Sequence, residues 1–171
     1  LDEKFNSEET PAGWEVIDNV GYGVEWRFDD PGGRGNLTPG GAGAFANVDG
    51  DNGGFYPVDS ELLSPVINLS GLGGLKLKFE TDLLIYPYYS AEVADVDVSV
   101  DGGSNWTNAF RRTEAQGNFN SSVDVPLPML DGQPQARIRF HYYDAYFDYW
   151  WQVDNVKLGV AGETPNPDFA E

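Results

Sequence analysis

Residues 136–158 read ARIRFHYYDAYFDYWWQVDNVKL. The opening part alternates: Ile138, Phe140 and Tyr142 fall on one side, and Arg137, Arg139 and His141 on the other. Side chains along a strand point to opposite faces with a period of two, so this pattern predicts a strand with one face in a core. An aromatic loop from Tyr143 to Tyr149 follows, and then a second strand from Trp150 to Leu158 that carries Asp154. The rest of the chain is read as packing against these two strands or meeting Asp154.

Working outward, the same period recurs. Leu75, Leu77 and Phe79 alternate with Lys76, Lys78 and Glu80, and Val96, Val98 and Val100 alternate with Asp95, Asp97, Ser99 and Asp101. The second pattern predicts Asp95, Asp97 and Ser99 on a solvated face. Ser99-Val-Asp101-Gly-Gly103-Ser-Asn105-Trp106 matches the Asp-box spacing, with Asn105 in place of Thr. That element is a hairpin turn closed by the Asp, with the Trp packed beneath it. One box in 171 residues is too little for a propeller. Trp14 and Trp26 read as core. Val123-Asp-Val125-Pro has the proline of an edge strand, and Pro65 marks an edge or a strand start. No helix-period segment of ten or more residues occurs. About nine or ten short strands with long connections predict an all-β fold, an antiparallel two-sheet jelly-roll β-sandwich.

Length and composition bound the function. The 171 residues fit one domain, read as residues 1–160, with 161–171 a Pro-containing linker. Leu1 is not Met, which suggests an excised module or a processed product, and the Pro-containing tail hints at a larger parent. The formal net charge of −18 repels nucleic acid and anionic membrane, and no apolar run reaches membrane-spanning length. With no cysteine there is no disulfide framework and no thiolate metal site, and one histidine, His141, argues against a histidine-based zinc site. His141 lies on the polar side of its strand and reads as an exposed strand residue. Surplus carboxylates suit a hard cation such as Ca²⁺. The loop Asp49-Gly-Asp51-Asn52-Gly-Gly is dense in oxygen donors, yet it lacks the flanking helices and terminal Glu of an EF-hand. Asn-x-Ser/Thr triplets stand at Asn36, Asn68, Asn105 and Asn120.

The order of landmarks carries a resemblance. Phe5, Pro11, Trp14, Asp18 and Trp26 open the chain, followed by Asp59, Leu63-Ser-Pro65 and Leu69. Leu75 to Phe79, the Asp-box hairpin, Val123 to Leu127, Arg137 to Asp144 and Trp151 to Lys157 complete it. The chain resembles the MAM-like choice-of-anchor J modules of secreted bacterial proteins and the cleaved-adhesin modules of secreted cysteine proteases. The resemblance implies a non-catalytic accessory module of a secreted or surface protein, joined to other domains of the same polypeptide. It also implies a buried Ca²⁺ that ties the chain ends to the middle, with Glu3, Asp49 or Asn47, Asp59 and Asp154 as ligands.

Three function classes remain open. Loop aromatics, Tyr86, Tyr88, Tyr89, Tyr143, Tyr146, Phe147, Tyr149 and Trp150, suit stacking on sugar rings or a surface protein. The alternative is a purely structural Ca²⁺-stabilised spacer or anchor beside a catalytic domain. The third class, an enzyme using acid pairs such as Asp95/Asp97 or Asp144/Asp148, is set aside because alternating acids on a strand are ordinary.

Overall fold

The computed structural model of the chain describes residues 1–88 and 91–160. Among the described residues ten strands form two antiparallel sheets. The first contains β1 (Asp2–Glu3), β3 (Ala46–Asp49), β5 (Leu75–Leu84), β8 (Phe119–Pro126) and β10 (Trp150–Val160). Its order is β1-β10-β5-β8, with β3 also pairing β10. The second, in order, is β2 (Glu15–Asp18), β4 (Pro57–Leu63), β9 (Arg137–Tyr146), β6 (Val93–Ser99) and β7 (Thr107–Thr113). The jelly-roll-type β-sandwich expected from the alternation is thus present, with β9 central in one sheet and β10 inside the other. Among the described residues no helix is long and apolar enough to cross a membrane. Among the described residues the only α-helical segment, α1 (Gly50–Gly53), is a single turn that the donor-rich loop forms because the Asp49 carboxylate caps the amide of Asn52.

The core follows from the alternation. Ile138, Phe140 and Tyr142 of β9 are fully buried, as are Leu77, Val153 and Val156. Trp26, Phe140, Phe79 and Trp151 meet edge-on or tilted at centroid separations of 5.1–6.4 Å, the geometry the aromatic quadrupole favours. Polar handles are satisfied: Trp151 Nε1 donates to Thr81 Oγ1 at 2.8 Å, and Thr81 Oγ1 donates to the Gln152 carbonyl at 2.9 Å. Trp26 sits in the core outside any named strand, beside an isolated bridge between Arg27 and Asn47.

Two bulges set which side chains face out. In β10 the register slips between Asp154 and Lys157, with Asn155 in the left-handed region at φ 50°. This keeps Val153 and Val156 both inward while Asp154 faces away from the core. In β9 the slip against β4 places Asp144 at φ 53°. The strand therefore continues to Tyr146, beyond the aromatic loop expected to begin at Tyr143.

The glycine-rich stretch after Asp29 lies across the outer face of the first sheet. Leu37 N donates to Gln152 Oε1 at 2.8 Å, Gln152 Nε2 donates to the Gly35 carbonyl at 3.0 Å, and Asn36 Nδ2 donates to Asp154 Oδ2 at 2.8 Å. Arg34 pairs with Asp49 and Asp51 and lies 4.7 Å above the Trp150 ring. Hence Asn47, Gln152 and Asp154 are buried although they face away from the core.

The other outer face differs from expectation too. Asp95, Asp97 and Ser99, expected on a solvated face, are 2%, 4% and 1% exposed. Long neighbours cover them. Arg111 grips Asp95 with two bonds of 2.7 Å, Arg139 reaches Asp97 at 2.8 Å and Glu61 at 3.0 Å, and Tyr143 donates to Asp95 at 3.0 Å. The Asp-box turn forms as read. Asp101 accepts from Asn105 N at 2.9 Å, from Asn105 Nδ2 at 2.7 Å and from Ser99 Oγ at 2.7 Å. The Asn105 side chain, followed by Ser99, draws the Asp101 carboxyl down to about 2. Trp106 packs under the Arg139 guanidinium at 4.5 Å.

Candidate ligand-binding site

Register brings four loops to one end of the sandwich. β4 starts opposite the end of β9, with Pro57 across from Tyr146. β10 starts opposite the ends of β5 and β3, with Trp150 across from Leu84 and Asp49. The β5–β6 loop, the β9–β10 hairpin and the turn after α1 therefore converge. The loop after β2 joins them, because Asp18 pairs with Ser60 near the start of β4.

The side chains at this end are aromatic and touch in series. Phe55 stacks on Phe147 at 4.2 Å and meets Tyr146 at 6.3 Å. Phe147 meets Tyr86 at 6.5 Å, and Tyr86 meets Tyr88 at 5.5 Å and Tyr149 at 5.2 Å. Tyr149 meets Trp150 at 5.6 Å, and Tyr22 stacks on Tyr56 at 5.1 Å. Exposure decides their use: Tyr88 is 79% exposed, Phe55 61%, Tyr22 55%, Tyr56 49% and Tyr146 37%. These are the large aromatic side chains most open to solvent among the described residues, and all five are here. Such an assembly is an exposed aromatic patch that also carries tyrosine hydroxyls, which suits a ligand with apolar faces and hydroxyl edges.

The hairpin that carries Phe147 is constrained. Phe147 is held at φ 56°, a left-handed conformation that costs about 1 kcal/mol for a residue with a Cβ. The stack on Phe55 helps hold it there, as does Asp148 Oδ2, which accepts from Tyr146 N at 2.7 Å. Gly50 packs so closely under this hairpin that a Cβ on it would lie 2.5 Å from the Asp148 carbonyl.

Of the expected ligand-contacting residues, the structure gathers Tyr86, Tyr88, Tyr146, Tyr149 and Trp150 at this end. Tyr143 is elsewhere. It lies on the outer face of the second sheet, its ring tilted against His141 at 4.4 Å, because β9 is still a strand there. Tyr89 and the expected linker 161–171 lie outside the described residues. Sequence reasoning missed Tyr22, Phe55 and Tyr56. Their signal was present: Gly53-Gly-Phe-Tyr-Pro57 sets two aromatic residues between a glycine pair and a strand-opening proline, where neither can enter a core.

The five expected metal ligands fall in three places. Glu3 of β1 lies beside β10, opposite Val156, and accepts from Phe5 N at 2.7 Å. Asp154 is close enough for Glu3 and Glu80 to act on its charge. Burial raises the Asp154 carboxyl above the usual carboxylate range, the Asn36 and Asn155 donors oppose this, and the two glutamates add to it. Among the described residues no ion pair reaches Asp154. Within the chain its charge is met by the Asn36 and Asn155 hydrogen bonds. Asn47 and Asp49 instead share the space under the glycine-rich loop. Asp49 is committed to Arg34 and Asn52, and the Asn47 amide is buried with no hydrogen-bond partner. That space is a cavity of about 80 Å³ lined also by Glu25, Arg27 and Asn52, too small for a sugar ring. Asp59 lies on the second sheet, bonded to Asn19 at 2.9 Å and His141 at 2.7 Å. Among the described residues no three His, Asp or Glu side chains converge as a metal site, so an ion at Glu3 and Asp154 would draw further donors from amides and carbonyls.

No family model matches the chain, and no curated protein matches it. Solved structures do. The K2 cleaved adhesin domain of Lys-gingipain superposes with a TM-score of 0.69 at 22% identity, covering 94% of this chain and 97% of that one. The K1 domain of Lys-gingipain from Porphyromonas gingivalis W83 gives 0.67 at 23% identity, covering 95% and 98%. The carbohydrate-binding module TmCBM61, solved with β-1,4-galactotriose, gives 0.61 at 13% identity, covering 92% and 94%. The chain has the β-sandwich fold that these adhesin and carbohydrate-binding domains share.

Proposed function

We propose that this chain is a non-catalytic recognition module, part of a larger secreted or surface protein, that binds glycan through the aromatic end of its sandwich. One observation carries the reading: among the described residues, the five most exposed aromatic side chains, drawn from three loops and the end of β9, are collected at that end. Tyrosine and phenylalanine faces stack on the apolar faces of sugar rings, and phenolic and Asp oxygens take the hydroxyls. The net charge of −18 favours a neutral glycan over an anionic one. TmCBM61 was solved with a galactose trisaccharide, which supports a glycan over a surface protein as the partner. A Ca²⁺ held by Glu3 and Asp154 would tie β1 to β10 and neutralise the buried acid.

The acid pairs considered for catalysis support a binding role. Asp95 and Asp97 are locked to Arg111 and Arg139. Asp148 is fully buried in the hairpin that holds Phe147, while its would-be partner Asp144 is exposed. The test is calorimetric titration of the chain with neutral β-linked oligosaccharides, repeated on the double variant Phe55→Ala/Tyr88→Ala. Both side chains are mostly in water, so the variant keeps the fold. Binding that the variant weakens at least tenfold supports the reading, as stacking is worth ~1 kcal/mol or more per ring. Binding unchanged in the variant, or no binding to any glycan, overturns it.

A further inference from the structure

Under the glycine-rich loop lies a polar group that the chain leaves unsatisfied. Asn47 is 1% exposed, and among the described residues neither its amide nitrogen nor its amide oxygen has a hydrogen-bond partner. Its backbone is satisfied: Asn47 N donates to the Arg27 carbonyl at 2.8 Å, and the Asn47 carbonyl accepts from Arg27 N at 2.7 Å. Buried amides are ordinarily paired, so an open one calls for a partner from outside the chain. Gln152, opposite Asn47 on β10, shows what such a partner supplies. Its amide oxygen accepts from Leu37 N at 2.8 Å, and its amide nitrogen donates to the Gly35 carbonyl at 3.0 Å. Peptide groups of the loop thus meet one side-chain amide and leave its neighbour open.

The cavity of about 80 Å³ that Asn47 lines has room for a group of a few heavy atoms, the space of about two or three waters. Its charges select the group. Asp49 is paired with Arg34 and Arg27 with Asp29, so among the described residues Glu25 is the one lining charge without an ion pair. One carboxylate beside an arginine is too little for a metal ion, and it repels an anion. The fitting ligand is neutral and carries a donor and an acceptor side by side, as an amide does. The walls are preformed. A Cβ on Gly53 would lie 2.5 Å from Val24 Cγ2, and one on Gly32 2.3 Å from Asp49 Oδ2. The loop before Val24 is tied down by the Asp18 carboxylate, which accepts from Val20 N at 3.1 Å, Gly21 N at 2.8 Å and Gly23 N at 2.7 Å. Position decides what carries the amide. Gly23 and Gly53 line the cavity, and they stand next in the chain to Tyr22 and close before Tyr56, the stacked pair of the aromatic end. A sugar lying on these rings can lower a substituent into the cavity, although its ring does not fit. We propose that the Asn47 cavity takes the acetamido group of an N-acetylated amino sugar, with Asn47 Nδ2 donating to its carbonyl and Asn47 Oδ1 accepting from its N–H. The pocket rests on the binding function proposed above and names the class of sugar bound.

Calorimetric titration with tri-N-acetylchitotriose and with cellotriose tests this. The two share a β-1,4-linked backbone and differ at C2, where one carries acetamido groups and the other hydroxyls. The wild type should bind the N-acetylated sugar about tenfold more tightly or better, the factor that a net hydrogen bond supplies. Asn47→Leu replaces an unpaired buried amide by an apolar side chain, which buried sites tolerate, and should bring the two affinities together. NMR of the wild type needs no variant: the Asn47 side-chain NH₂ signals should shift with tri-N-acetylchitotriose and stay in place with cellotriose. Both sugars bound with equal affinity, a preference that persists in Asn47→Leu, or Asn47 signals that never move would overturn the pocket while glycan binding stands. Asn47 signals that shift with N-methylacetamide but with neither trisaccharide would give the cavity to a peptide amide and overturn the amino sugar. If neither trisaccharide binds, the pocket falls, and the binding function falls with it only if the other neutral β-linked oligosaccharides fail too.

Discussion

Replacing Glu92 by Gln should flatten the pH dependence of stability, and the structure sets the size of the effect. The Glu92 carboxyl sits at about 8 in the folded chain against 4.5 for an ordinary glutamate. The folded state therefore keeps a proton that the unfolded state loses. Stability is fully present below about pH 4.5 and is lost as pH rises towards about pH 8, by ~1.4 kcal/mol per unit. Between about pH 5 and about pH 7.5 the wild type should lose about 3 kcal/mol from this one group. Asp154, also raised by burial, adds a loss of the same sign, and the amino terminus, lowered by burial, acts the other way near its own titration. The difference between wild type and Gln variant isolates Glu92, because both proteins share every other group. Urea unfolding at several pH values measures it, since the midpoint tracks stability at constant slope. Parallel loss of stability in both proteins, or a wild type that grows more stable across this interval, would show that Glu92 is not the titrating group.

Three further outcomes follow from named contacts. Thermal unfolding with EDTA and then with Ca²⁺ added back should show stabilisation of ~2.7 kcal/mol at about 100 times the dissociation constant; Asp154→Asn should abolish the response if Glu3 and Asp154 hold the ion. Arg34→Ala strands the nearly buried Asp49 carboxylate and uncovers Trp150, so denaturant unfolding should report a loss of about 3 kcal/mol. Asp144→Gly relieves a left-handed residue at φ 53° on an exposed bulge and should raise stability by about 1 kcal/mol, a shift of a few degrees in Tm.

The fold was largely legible in the sequence because both faces of its strands obey period two. Leu75-Lys-Leu-Lys-Phe79 and Arg137 to Tyr142 emerged as read, and the Asp box closed its turn despite Asn105. Misreadings had local causes. Tyr143 was assigned to a loop because Asp144 breaks the alternation, yet a bulge there lets the strand run on to Tyr146. Asp95 and Asp97 were assigned to water because polarity marks the outer face, but outer is not exposed when Arg111, Arg139 and Tyr143 lie over them. The aromatic end was half visible. Tyr86 and Tyr149 stood out as loop aromatics, while the register that brings Phe55 and Tyr22 to the same place is a property of long-range pairing. Glu92 carried no sequence signal, since its burial depends on which strands flank it.

If the aromatic end is the ligand site, residue-resolved NMR during a glycan titration will locate binding there. Perturbations confined to Tyr22, Phe55, Tyr56, Tyr86, Tyr88, Tyr146 and their neighbours are the predicted result. Perturbations centred instead on Arg139, His141 and Tyr143, across the outer face of the second sheet, would contradict it.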